Sequence, residues 1–317
     1  MKQIQLGTEH GFHVLLSTYG AGIVEFWAPD RDGRFENIAM PAKHPDPSYA
    51  GLTLGPVAGR IRDARLKIDD HEFDLSINEG HHHLHGGSGG CSFRNWDLVT
   101  HADNEAVFSL TLKDGEDGYP GNRTIQAIYQ LKPDTTLSLT YRAITDKPTV
   151  FSLSNHTYWN LEGRFDAELS DHLLQIPAEY VYLNDEDHIP IKRAKTANTA
   201  FDFKTNKSLI PASNDSQIIQ EHGLNHAFET SEATLSNPKS GRSLTITSDY
   251  PCMVVYSGGF LTRTDKIKVV PSCAIAFEAQ QLPILDQAET LQNKERIITQ
   301  PGEVWERKTK IYVHPSR

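Results

Sequence analysis

Ile125-Gln126-Ala127-Ile128-Tyr129-Gln130-Leu131-Lys132-Pro133-Asp134-Thr135-Thr136-Leu137-Ser138-Leu139-Thr140-Tyr141-Arg142-Ala143 is the stretch on which the fold turns. Ile125, Ala127, Tyr129 and Leu131 recur at every second position, and Leu137, Leu139, Tyr141 and Ala143 do so again after Lys132-Pro133-Asp134. Successive side chains of a strand point to opposite faces, so the spacing predicts two strands, each with one buried face, separated by a turn. Upstream, Ala106, Phe108, Leu110 and Leu112 alternate mostly with Ser109, Thr111 and Lys113. Downstream, Leu244 and Ile246 sit between Ser243, Thr245 and Thr247, and Ile311 and Val313 repeat the pattern. Turn signals fall between such segments at Asp30-Arg31-Asp32-Gly33, Asn237-Pro238 and Ser240-Gly241.

Helical periodicity is scarce, and Asp215 to His222 is its clearest, short example. Many strands with no helix between successive ones indicate an antiparallel all-β protein rather than an α/β one. No repeat of fixed period points to a propeller. The 317 residues allow two domains at about 150 residues each. No Pro/Ser-rich linker divides them, so a single large β-sandwich over residues 1–317, with few short helices, is expected.

The composition is 38% hydrophobic and 23% charged, enough apolar matter for a sizeable core. Forty-one acidic against 31 basic residues give a formal charge of −10, which argues against a nucleic-acid platform. No apolar run of about 7–15 residues follows Met1-Lys2-Gln3-Ile4, so no secretory signal is expected. No stretch reaches the roughly 18 apolar residues of a membrane span. Cys91, Cys252 and Cys273 are odd in number and scattered, as in reduced thiols of a cytoplasmic protein.

Three constellations carry chemistry. The first is Asn78-Glu79-Gly80-His81-His82-His83-Leu84-His85-Gly86-Gly87, which holds four of the 15 histidines. On a strand, His81, His83 and His85 would share a face, yet no neighbouring Cys or Asp completes a ligand set, so no metal is expected. Gly86-Gly87 and Gly89-Gly90 permit close backbone approach, which suits His85 to a cleft; a solvated loop is the plainer reading. The second is Phe151-Ser152-Leu153-Ser154-Asn155-His156-Thr157-Tyr158-Trp159-Asn160. Its aromatics suit a sugar ring or a core, and His156 suits either an acid–base role or a hydrogen-bonded core position. The third places Glu278 in Cys273-Ala274-Ile275-Ala276-Phe277-Glu278-Ala279-Gln280-Gln281-Leu282-Pro283. A carboxylate in an apolar strand is costly to bury unless paired or raised in pKa, which makes Glu278 a candidate base or an edge ion pair.

Together with other segments, these resemble the aldose 1-epimerase (galactose mutarotase) family. Gly55-Pro56-Val57-Ala58-Gly59-Arg60-Ile61 is similar to its arginine segment, and Leu84-His85-Gly86-Gly87 with Phe93 and Trp96 to its LHGG element. Asp114-Gly115-Glu116-Asp117-Gly118-Tyr119-Pro120-Gly121 resembles its DGxxGYPG turn, and Asn155 to Leu161 its NHTYWNL segment. Phe201-Asp202-Phe203, Phe277-Glu278-Ala279-Gln280 and Gln300-Pro301-Gly302-Glu303 follow in the family's order, so the resemblance spans about residues 10–314. It implies a galactose mutarotase-like β-sandwich that interconverts α and β anomers of a free hexose. It further implies Glu278 as base, His156 as acid, Arg60 and His85 on sugar hydroxyls, Asn225 at a further binding position, and no cofactor. His226 is expected to support the site from behind, and His81, His82 and His83 to lead into the Gly-rich turn. The expected partner is a small sugar, with neither nucleic acid nor membrane, and the chain a monomer or homodimer.

Three departures bear on the preferred sugar. Asn225 stands where the family has an Asp, Pro56 replaces a first arginine, and Ile284-Leu285-Asp286 follows Pro283 where the family has Asp directly. An alternative substrate is a modified or phosphorylated hexose, for which Arg60, Arg62 and Arg65 would have to converge. An inactive carbohydrate-binding module would need neither His156 nor Glu278. A glycoside hydrolase would need two carboxylates, and only Glu278 stands out.

Overall fold

Ile125, Ala127 and Tyr129 are sealed from solvent, and the strand Arg123–Leu131 alternates buried with half-buried residues along its whole length. The same holds for Ala106, Phe108, Leu110 and Leu112 on Glu105–Leu112, and for Leu244 and Ile246 on Arg242–Ser248. In this computed structural model, which describes residues 1–41, 47–209, 215–262, 269–283 and 298–315, these strands form one nine-stranded sheet. Its order is Asp97–Ala102, Glu105–Leu112, Arg123–Leu131, Thr136–Thr145, Trp305–Pro315, Arg242–Ser248, Glu232–Asn237, Leu173–Gln175, Lys207–Ser208. The chain's last strand therefore lies at the middle of the sheet, with Leu137 opposite Ile311 on one side and Leu244 opposite Val313 on the other.

A six-stranded sheet orders Tyr158–Trp159, Ile275–Gln280, Cys252–Tyr256, Asn225–Phe228, Tyr180–Asn184 and Pro190–Lys195. All its ladders, like those of the larger sheet, are antiparallel. Phe228, Met253, Val255, Ile275 and Phe277 from this sheet join Phe108, Tyr129, Leu139 and Leu244 from the other in one buried cluster. Two sheets sharing a core in this way are a β-sandwich. Each large apolar side chain so buried stabilises the fold by about 1.5–3 kcal/mol relative to exposure. The N-terminal strands Gln3–Gly7, His13–Ser17, Gly22–Pro29 and Phe35–Asn37 make a smaller antiparallel sheet, and its Val14, Leu16 and Phe26 enter the same core.

The predicted helical segment shrinks to Ser216–Gln220, capped by Asp215, whose carboxylate accepts the Gln217 amide at 2.9 Å. Glu221 then sits at the helix end with no exposed surface. No helix among the described residues is long and apolar enough to cross a membrane.

Arg242, like Arg123, commits a charge to the interior. Its guanidinium donates to the carbonyls of Ala28 (3.3 Å), Leu161 (2.8 Å) and Arg34 (3.1 Å) and to Glu36 Oε2 (3.1 Å). It thus ties the large sheet to the N-terminal one. Arg242→Met keeps the volume but strands buried acceptors, at about 1–3 kcal/mol each. A lower denaturant midpoint with unchanged activity per folded molecule is the expected outcome; an unchanged midpoint would show the latch to be idle.

Candidate active site

Ile275–Gln280 has a strand on either side, and all six of its residues are buried. Glu278 itself is paired with Val254 on one side, while Tyr158–Trp159 on the other reaches only Ile275 and Ala276. Alternation sends Ile275, Phe277 and Ala279 into the core and Ala276, Glu278 and Gln280 to the opposite face. Register places Val254 and Ala227 beside Glu278, and Tyr256 and Asn225 beside Ala276. Directly paired residues point the same way, so Glu278, Tyr256 and Asn225 share one face.

His156 reaches that face from the bend between Ser154–Asn155 and Tyr158–Trp159. Its backbone is fixed at both ends, the amide donating to Leu52 O (2.9 Å) and the carbonyl accepting from Gly51 (3.0 Å). Asn155 locks the bend by accepting from the Thr157 amide and hydroxyl and donating to Gly51 O. His156 Nε2 then lies 3.3 Å from Glu278 Oε1, with both side chains 5% exposed. The rings of Tyr158 (4.7 Å), His85 (5.7 Å), Tyr256 (6.2 Å) and Tyr49 (6.5 Å) surround the imidazole. Loss of water pushes the Glu278 carboxyl up to about 8, with the Arg60 charge pulling the other way. Burial also pushes the His156 imidazole down to about 4. Each group therefore favours its uncharged form.

His85 arrives on the glycine turn anticipated for it. Gly86 has φ +87, and a Cβ there would lie 1.9 Å from the Gly55 carbonyl oxygen, so only glycine lets the two backbones meet. His85 Nδ1 accepts the Gly59 amide at 3.1 Å, which leaves the proton on Nε2 and makes that atom a donor. Burial, with His156 and Arg60 adding, holds this imidazole well below its usual range and hence neutral. Arg60 donates to Glu79 Oε1 at 2.6 Å. At the other end of the face, Asn225 donates through Nδ2 to Glu221 Oε2 at 2.8 Å. Arg60 Nε, Glu79 Oε2, His156 Nδ1 and Gln280 Oε1 are buried without a hydrogen-bond partner among the described residues. So many unspent polar atoms suit a ligand rich in hydroxyls.

A family model described as Aldose 1-epimerase matches residues 2–312. The chain belongs to the aldose 1-epimerase family. Aldose 1-epimerase of Escherichia coli K12 is 30% identical over 300 residues, covering 88% of this chain and 86% of the relative. Galactose mutarotase of Rattus norvegicus is 31% identical over 288 residues, covering 84% and 80%. Among solved structures, a galactose 1-epimerase from Lactobacillus acidophilus superposes with a TM-score of 0.86 at 30% identity, over 99% of this chain and 95% of that one. An aldose epimerase homologue from C. elegans reaches 0.89 at 25% identity, over 100% and 99%. The fold is accordingly the galactose mutarotase-like β-sandwich, in an isomerase family.

Within this family frame, the histidine run behaves differently from a one-face strand. Gly80 and His85 both have positive φ and only His83–Leu84 is extended, so the run does not alternate: the His81 and His82 rings lie together, centroids 3.8 Å apart, while His83 and His85 enter separate surroundings. His81 is exposed, and His83 is a core residue whose Nδ1 donates to Ser76 O (2.7 Å) while Nε2 accepts the Tyr119 hydroxyl (2.9 Å). Two groups among the described residues bring three potential metal-ligand atoms within 4.8 Å: Asp63, His81 and His82, and His85, His156 and Glu278. Neither fits an ion well. His82 Nδ1 accepts the Asp63 amide, as His85 Nδ1 accepts that of Gly59, so in both rings Nε2 carries a proton in place of a ligand lone pair. His226 lies behind Asn225 on the core face, its Nδ1 accepting the Asn225 amide and its ring 4.7 Å from Phe201.

Arg62 and Arg65 do not join Arg60; they pair instead with Asp185 and Asp74. The Ile284-Leu285-Asp286 departure lies outside the described residues. Sequence reading passed over Tyr49, Glu79, Tyr256 and Glu221. Tyr256 had a signal, since it follows Val254 at strand spacing. Glu221 had none, because helix, sheet and loop meet there only in the folded chain.

Proposed function

We propose that this chain interconverts the α and β anomers of a free hexose such as galactose or glucose. The observation that carries the reading is a buried carboxyl and imidazole 3.3 Å apart, pushed to about 8 and about 4 by the same dry surroundings. Ring opening needs one group to take the C1 hydroxyl proton while another delivers a proton to the ring oxygen. Glu278 is the base and His156 the acid in that direction. After rotation about C1–C2, closure on the other face of the aldehyde runs with the roles exchanged. A pair holding one proton is competent in both directions, because carboxylate with imidazolium and carboxylic acid with imidazole contain the same number of protons. Desolvation keeps the proton on the carboxyl, while sugar hydroxyls together with the Arg60 charge favour the ion pair.

His85, with its proton fixed on Nε2, donates to a sugar oxygen, and Arg60 polarises the ring-oxygen side. Asn225 holds a hydroxyl at the far end of the face. The chemistry moves protons only and calls on no metal or organic cofactor. The names of the relatives support the reaction. Pairing of Arg62 and Arg65 with acidic neighbours favours free over phosphorylated hexoses. Polarimetry of freshly dissolved α-glucose and α-galactose tests the reading: optical rotation should reach equilibrium faster in proportion to added protein. A rate confined to glucose 6-phosphate would transfer the function to phosphorylated sugars. Calorimetric sugar binding without any rate would mark a binding module.

A further inference from the structure

The far end of the cleft face contains a carboxylate with an unusual environment. Glu221 has no exposed surface. Its Oε1 accepts from Asn184 Nδ2 at 2.9 Å and Gln220 Nε2 at 3.4 Å, and its Oε2 from Asn225 Nδ2 at 2.8 Å and His188 Nδ1 at 3.0 Å. Burial pushes this carboxyl up, but the bonds from Asn184, Asn225 and His188 outweigh it and hold it below its usual range. Among the described residues no Lys or Arg forms an ion pair with it. A carboxylate with no exposed surface, held ionised by side-chain amides and one imidazole and without Lys or Arg, is costly to keep.

We propose that Glu221 is a positioning residue for substrate recognition, fixing and polarising the Asn225 amide so that Oδ1 meets a sugar hydroxyl. This deepens, and rests on, the reading of the cleft as a hexose site. An ionised carboxylate only accepts, so the Asn225 NH2 must face Glu221 and cannot rotate away. Oδ1 is then the end left to the cleft, where it takes no protein hydrogen bond among the described residues. The charge behind the NH2 group draws electron density toward Oδ1 and strengthens it as an acceptor. Glu221 and Asn225 together thus offer a hydroxyl nearly what a carboxylate would, with the charge one bond removed. Asn184 completes the arrangement by donating from one Nδ2 to both Glu221 Oε1 and the Asn225 carbonyl (2.9 Å), which fixes helix end to strand.

A charge-relocation cycle tests this. Glu221→Gln is expected to raise KM for galactose or glucose about tenfold while kcat changes less. Asn225→Asp alone sets two carboxylates against each other and should weaken binding at least as much. Glu221→Gln combined with Asn225→Asp puts the single charge directly on the strand, and should return KM to within about threefold of the original. A merely structural glutamate would give no such rescue. The proposal is overturned if Glu221→Gln, folded by its melting curve, keeps the original KM, or if the double variant is no better than the worse single one. Calorimetry with galactose on the same four proteins separates the two readings. Binding without anomerisation in the unaltered chain sinks the epimerase reading while the cycle, read in Kd, still judges Glu221. Absence of both binding and rate overturns the two together.

Discussion

Glu278→Gln is expected to slow enzymatic anomerisation by about 10²–10⁴, the usual contribution of a positioned acid–base group, while making the protein more stable in alkali. The amide keeps the size and a hydrogen-bonding face toward His156 but can neither take nor return a proton. The stability effect has the opposite sign. In the folded chain the Glu278 carboxyl is raised from 4.5 to about 8. Between those values the folded state retains a proton that the unfolded chain has released, so stability falls as pH climbs through the interval. The group's contribution is complete below about pH 4.5 and lost as pH passes about 8. Replacing it by a neutral amide removes that slope, a gain on the order of a few kcal/mol at pH 8–9. Progress curves by polarimetry and melting curves at pH 5 and pH 9 measure both sides. A variant that keeps its rate, or one that melts lower than the original at pH 9, contradicts the role given to Glu278.

The pH dependence of the rate is the second large effect. One proton on the pair is active, two or none are not. The ratio kcat/KM should therefore be flat between limbs near about 4, where His156 takes a second proton, and about 8, where the proton on Glu278 leaves. Beyond each limb the catalysed rate should fall about tenfold per pH unit once the uncatalysed rate is subtracted. His156→Ala should lose about 10²–10⁴ in rate and abolish the acid limb in what activity remains. A single limb near 6.5 in the unaltered protein would mean that the imidazole titrates as if exposed, against its 4% exposure. Such a curve would remove the dry pair from the mechanism.

The sheets were legible because their signal is local. Ile125 to Leu131 and Leu137 to Ala143 carry their facing in their own spacing, and every one of those alternating residues is buried. His156 and Glu278 were legible as residue types out of place, a polar group among aromatics and a carboxylate in an apolar strand. That they meet at 3.3 Å was not, because 122 positions separate them and it takes the pairing of Tyr158 and Trp159 with Ala276 and Ile275 to bring them together. The histidine run misled on facing, since positive φ at Gly80 and His85 breaks an alternation that composition alone cannot reveal. Arg242 and Glu221 gave no warning. Their partners come from Ala28 to Leu161 in one case and from Asn184 to Asn225 in the other, and each is meaningful only as the sum of them.

Register on the six-stranded sheet also shapes how this molecule could change over generations. Asn225, Tyr256 and Glu278 lie on the face that His156 meets, while His226, Phe228, Met253, Val255, Ile275 and Phe277, interleaved among them, look into the core. Two independent texts are therefore written on the same three strands, one facing His156 and one read by the packing. A substitution at Asn225 alters what that face presents while leaving the interleaved core residues in place. What that face offers can drift, one step at a time, on a framework that does not notice.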